Sequence, residues 1–147
     1  MKIKKILNYK YNTKKDRVEY YSKIYKKADF SVKYPYPAAL KRLNIIISLL
    51  KKHKPKKIVD AGCAAGIPLI KIKKLGFNIT GYDRSKPMVH EAKKNLKKYN
   101  LSTNLISEGN FENPKNIKNN SVDCILGMGT YYYSKNIKKL FHYKLRN

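Results

Sequence analysis

The sequence predicts an α/β fold, a parallel sheet flanked by helices, on three observations. The first is Lys57-Ile-Val-Asp-Ala-Gly-Cys-Ala-Ala-Gly66, an apolar run ending in an acid and a turn of small residues. An apolar helical pattern follows, so the order is buried strand, tight turn, helix. The second is Phe77-Asn-Ile-Thr-Gly-Tyr-Asp83, another strand-like run whose acid falls about 20 residues after Gly62. The third is the alternation of short strands and helices that continues beyond it, which calls for right-handed crossovers.

The elements follow in order. Residues 1–16 read as polar and frayed, and Tyr20, Tyr21, Ile24, Tyr25 and Ala28 form a helical stripe from Arg17 to about Ala28. Pro35 and Pro37 interrupt the chain, and a second helix starts near Pro37. Its Leu40, Leu43, Ile46, Ile47 and Leu50 share one face, with Lys41, Arg42, Lys51 and Lys52 outside. Such a face could lie on an anionic membrane, but the strand that follows favours packing on a sheet. Residues 1–54 thus form an N-terminal helical segment, and 55–147 form the sheet-bearing domain.

Within that domain the first strand spans about 57–61 and the first helix about 66–75. Pro68 is acceptable in the helix's first turn, and Gly76 provides its stop. A second strand covers about 78–83. Ser85 caps a helix over 86–99, whose buried stripe is Met88, Val89, Ala92, Leu96 and Tyr99. A short strand is expected at 103–107, a turn-rich loop at 108–120 and a fourth strand at 122–127. Three tyrosines, Tyr131 to Tyr133, precede a final helix near 134–141 and could shape a pocket or simply pack.

Composition narrows the class. The chain has 147 residues, enough for one domain with a core, and 42% of them are hydrophobic. Met1-Lys-Ile-Lys-Lys-Ile-Leu-Asn8 lacks the apolar run of about 7–15 residues that a secretory signal needs. Ile45 to Leu50 is too short to cross a bilayer. The expected location is cytoplasmic. Cys63 and Cys124 lack metal-ligand spacing, and only His53, His90 and His142 could join them, so no metal site is expected.

The net charge of +25 suggests nucleic acid. Yet only Arg17, Arg42, Arg84 and Arg146 carry the planar fork that leads in base and phosphate recognition. Lys, Asn, Ile and Tyr make up nearly half the chain and share A/T-rich codons, which accounts for the excess without a dedicated partner. Nucleic acid therefore stays a secondary partner.

The turn itself limits the ligand. A dinucleotide site would read Gly-X-Gly-X-X-Gly, but Ala64 and Ile67 stand at its second and third glycine positions. A phosphate loop would need Gly-Lys-Ser/Thr, which is absent. The anion at Asp60 repels phosphate and attracts an ammonium or sulfonium group. Asp60 could also cap the following helix, and Asp83 the one after it.

On these residues the chain resembles the class I S-adenosylmethionine-dependent methyltransferases, which have a Rossmann-like sheet. Val59-Asp-Ala-Gly-Cys-Ala-Ala-Gly66 is similar to their first motif, and Gly81-Tyr-Asp-Arg-Ser85 to their second strand end. Glu108-Gly-Asn-Phe111 resembles the third-strand loop, and Asp123-Cys-Ile-Leu-Gly-Met-Gly129 the fourth-strand motif. The likeness runs over about residues 55–133. It implies S-adenosylmethionine as cofactor, with Gly62, Cys63, Ala64 and Gly66 around the methionine portion and Asp60 near its ammonium. It further implies Asp83 on the ribose hydroxyls, Arg84 and Met88 flanking the adenine, and Asn110 and Phe111 at the adenine edge. Gly127 and Met128 would close the floor beneath the sulfonium. Met88 could serve in core packing alone, and Asn110 and Phe111 could belong to an ordinary loop.

Two departures stand out. Ala64 replaces the motif's middle glycine, and the strand pattern stops after four strands where the family has seven. If the spatial order is three-two-one-four, the fourth strand is an open edge suited to self-association. The expected function is methyl transfer to a small-molecule acceptor. RNA or DNA as acceptor, and a non-catalytic cofactor-binding remnant, remain as alternatives. The transfer needs no dedicated general base, and none is assigned.

Overall fold

The computed structural model describes residues 37–111, 117–118, 120–128 and 130. The expected helices at 17–28 and 134–141, Tyr131 to Tyr133 and His142 lie outside these residues. The elements are α1 (Pro37–His53), β1 (Ile58–Ala61), α2 (Ile67–Lys74), β2 (Ile79–Asp83), α3 (Lys86–Lys98), β3 (Ile106–Glu108) and β4 (Cys124–Leu126). All strand pairings are parallel, in the order β3-β2-β1-β4. The α/β class is as the sequence predicts, the three-two-one-four order is that of the family it resembles, and β4 is an edge among the described residues.

Every residue of β1 is buried, as a central parallel strand covered on both faces must be. Period-two alternation then sorts its side chains. Ile58 joins Ile79, Ile106 and Leu126 in a core that α1, α2 and α3 complete through Leu43, Leu69 and Leu96. Val59 and Ala61 join Tyr82, Phe111 and Val122 on the opposite face. Removing each large aliphatic side chain from water contributes roughly 1.5–3 kcal/mol.

Local signals close the helices where the sequence places them. Gly76, at φ 90°, follows α2, and its N–H donates to the Lys73 carbonyl. The Ser85 hydroxyl accepts the Met88 N–H at 3.4 Å and caps α3.

Two expectations are corrected. Leu40 does not share the buried face of α1. It is 41% exposed, because it stands at the rim of the stripe in the helix's first turn, where solvent reaches it. The third strand does not start at 103. The Ser102 hydroxyl accepts the Asn104 N–H at 3.3 Å and folds Thr103–Leu105 into a single 3-10 turn, so β3 begins only at Ile106.

The turn after β1 uses left-handed backbone at three places, Gly62 (φ 81°), Ala64 (φ 46°) and Gly66 (φ 76°). For alanine this conformation costs roughly 1–2 kcal/mol. A Cβ at Gly66 would approach Ile106 Cδ1 to 2.8 Å and Ala92 Cβ to 3.2 Å, so this glycine lets α3 and β3 close on the turn. Ala64→Gly is expected to leave stability unchanged or raise it by up to about 1 kcal/mol, whereas Gly66→Ala lowers it by more than about 1 kcal/mol. Urea unfolding of the two variants measures this, and the reverse ranking would refute it.

Candidate functional site at the tips of β1, β2 and β4

The parallel sheet brings the ends of β1, β2 and β4 together, and the turn 62–66 sits over them. Four groups of contacts hold the turn. The Gly62 and Cys63 N–H groups both donate to the Tyr82 carbonyl, at 2.8 and 3.0 Å. The Ala64 N–H donates to Asp83 Oδ2 at 2.9 Å. The Gly66 N–H returns to the Cys63 carbonyl at 2.9 Å. Asn95 Nδ2, from α3, donates to the Ala65 carbonyl at 3.0 Å.

Asp83 therefore does more than end β2. Its other oxygen, Oδ1, accepts the Ser85 N–H at 2.9 Å, while Ser85 rather than Asp83 caps α3. Burial raises the Asp83 carboxyl above its ordinary range, while the N–H groups of Ser85 and Ala64 and the charge of Arg84 act against the rise. Each Asp83 oxygen keeps acceptor capacity beyond the one bond it makes. Gly109 N–H donates to the Asp83 carbonyl at 3.0 Å, which ties the loop after β3 to the same place.

Asp60 is the unusual residue. It pairs in register with Gly81, two residues before Asp83, so both acids lie on the same face of the sheet. It is 1% exposed, and neither carboxylate oxygen has a hydrogen-bond partner among the described residues. Asp60 thus caps no helix. Burial first, and then the charge of Asp83, push its carboxyl up to about 7. The same surroundings, burial followed by the charges of Asp60 and Asp83, drive the Cys63 thiol well above its usual range. Cys63 is a buried free thiol beneath the turn, and Cys124 is a half-buried one. Among the described residues no group of acids, histidines and cysteines is arranged to hold a metal.

The remaining candidates divide by environment. Arg84 is exposed, and its guanidinium carbon lies 5.8 Å from the centroid of Phe111. Phe111 itself is buried in the second core against Tyr82. Met88 is buried in the first turn of α3, and Asn110 is exposed just beyond β3. Gly127 is exposed at the end of β4, while Met128 packs against the first core. Just beyond the ends of β1 and β4 stands Thr130, whose methyl group occupies the place a Gly62 side chain would need. A Cβ on Gly127 would meet Thr130 Oγ1 at 3.2 Å. Thr130, Asn95 and the Tyr82 carbonyl escape sequence reading, since each joins the turn from a distant part of the chain.

A parallel sheet of this order, with an acid and a glycine turn at its centre, is the arrangement expected of a methyltransferase domain, and comparison shows that family and fold. The methyltransferase domain family matches residues 58–146, and the chain belongs to that family. Its fold resembles a candidate sarcosine dimethylglycine methyltransferase from Galdieria sulphuraria, with TM-score 0.71 and 18% identity over 86% of this chain and 53% of that one. A candidate S-adenosyl-L-methionine-dependent methyltransferase from Methanococcus maripaludis gives TM-score 0.69 and 21% identity, over 90% of this chain and 59% of that one. No curated protein matches the chain in sequence. The chain spans little more than half the length of these two solved structures.

The Asp60 environment makes stability depend on pH. Its folded carboxyl titrates near 7, against 3.8 for an unperturbed aspartate. Folding therefore favours the protonated form, and the sign is fixed: stability falls as pH rises from about 4 to about 7, then levels off. The limiting slope is about 1.4 kcal/mol per pH unit, to which Asp83 adds in the same direction. Asp60→Asn is expected to flatten most of this slope in ligand-free protein, read by urea unfolding across the range. An unchanged slope would assign the proton elsewhere.

Proposed function

We propose that this chain transfers a methyl group from S-adenosylmethionine to a nucleophile on a small molecule. The observation that carries the reading is the carboxylate of Asp60, buried without a partner and set on the same face as Asp83. A buried carboxylate without a partner is costly, and a cation that reaches it relieves that cost. The methionine ammonium is such a cation, and its arrival would favour ionised Asp60. The second support is the family itself, whose members need a methyl donor.

The residues fit this cofactor. The turn 62–66 would border the methionine portion through the backbone at Ala64, with Cys63 below, Gly66 shaping the turn from behind, and Gly62 making room for the Thr130 methyl beside it. Asp83 would accept from the ribose hydroxyls through its remaining lone pairs. Arg84 and Met88 would border the adenine, with Asn110 at its edge and Phe111 supporting Arg84. Gly127 and Met128 would lie below the sulfonium, with Thr130 packed beside both Gly62 and Gly127. When bound, the cofactor supplies an already activated methyl group on sulfur. The protein's task is then alignment of the acceptor and exclusion of water.

Calorimetric titration with S-adenosylmethionine, beside incorporation of labelled methyl groups into candidate small molecules, tests the proposal. Asp83→Ala is expected to weaken binding by about 1–3 kcal/mol through lost charged hydrogen bonds. Unchanged affinity in a folded variant would remove Asp83 from the site. Binding without turnover on any acceptor would reduce the chain to a cofactor-binding protein, and no binding at millimolar cofactor would overturn the reading.

A further inference from the structure

The outer face of α1 is not what a solvent-facing helix needs. Lys41, Ile45, Leu49 and Lys52 are spaced by four, four and three residues, which places them in one stripe. All four are exposed, Ile45 by 54% and Leu49 by 50%. The opposite stripe already packs on the sheet through Leu43 and Leu50. The core therefore has no use for the outer pair. Nor does α1 contain a single acid over its 17 residues.

The cations continue beyond the helix. Lys51 and His53 stand in its last turn, and Lys54, Lys56 and Lys57 lead into β1, all exposed. Leu75, at the end of α2, is 49% exposed four residues before β2 begins. Because the strands are parallel, these segments gather at the edge of the sheet where strands start, opposite the candidate site. The surface there combines dense positive charge with isolated branched aliphatics.

We propose that this face of α1 docks on an anionic lipid bilayer. Charge selects among occupants. A second copy carries the same net charge of +25, and the lysine-rich segment that precedes α1 has the same sign, so both are repelled. The partner is therefore an anion. Between a nucleic acid and a membrane, the chemistry of the stripe decides. Phosphate backbones and bases call for planar donors or stacking rings beside the lysines. The stripe offers Ile45 and Leu49 instead, and aliphatics among lysines suit the boundary between headgroups and acyl chains. Among the described residues no helix is long and apolar enough to cross a membrane, so the contact is peripheral.

Sedimentation of the full chain with vesicles of neutral phosphatidylcholine, or of the same lipid with about 30% phosphatidylglycerol, tests this directly. Binding to the anionic vesicles is expected to be at least about tenfold tighter than to the neutral ones. Ile45→Ser with Leu49→Ser keeps the charge and is expected to weaken that binding at least about fivefold. Lys41→Glu with Lys52→Glu should weaken it more than the same charge change at Lys86 and Lys93 on α3. Circular dichroism and thermal unfolding of each variant report whether it remains folded. Equal binding by the serine variant, or equal effects of the two charge reversals, would overturn the proposal, because adsorption would then follow bulk charge. Tighter binding to a homopolymeric RNA, indifferent to the serine substitutions, would also overturn it.

Discussion

The carboxylate of Asp83 is the contact on which the site depends. One oxygen takes the N–H of Ala64, the other that of Ser85, so a single side chain joins the first turn to the start of α3. The Tyr82 carbonyl beside it takes two more N–H groups from the same turn. The glycine turn is therefore not a free loop. Its conformation is set by the second strand, and only residues with little or no side chain can be held so close to that strand.

This anchoring explains how two acids can share one place. Asp83 offsets its own desolvation with hydrogen bonds, whereas Asp60 has none among the described residues and holds its proton to near neutrality. The pair is thus asymmetric, one carboxyl committed to the scaffold and the other buried without a hydrogen bond among the described residues. A turn built for phosphate would expose N–H groups to the ligand and place no acid beneath them.

Much of this was legible in the sequence, for identifiable reasons. Ile58 to Ala61, Gly76 and Ser85 act through neighbours a few residues away, so pattern and capping rules reach them. The sheet order came from the family resemblance, since the crossover rule fixes handedness but not which strands are neighbours. What escaped was contact between remote segments. Asn95 supports Ala65 across 30 residues, and Thr130 fills the space over Gly62 from beyond β4. Leu40 and Thr103 to Leu105 were misread because a helical stripe does not show where the core ends, and a serine cap can override strand propensity. The positions of Asp60 and Asp83 near the ends of neighbouring strands were legible. That one of them would be spent largely on the backbone was not.

The position of β1 at the middle of the sheet also governs how the molecule is made. Its partner on one flank, β2, arrives soon after it, whereas its partner on the other, β4, lies 66 residues along the chain. Closing so long a loop is slow compared with forming the neighbouring β1–α2–β2 unit. During synthesis β1 therefore waits with one side bare until Cys124 to Leu126 emerges, and in that interval the nascent chain is open to mispairing or capture by chaperones.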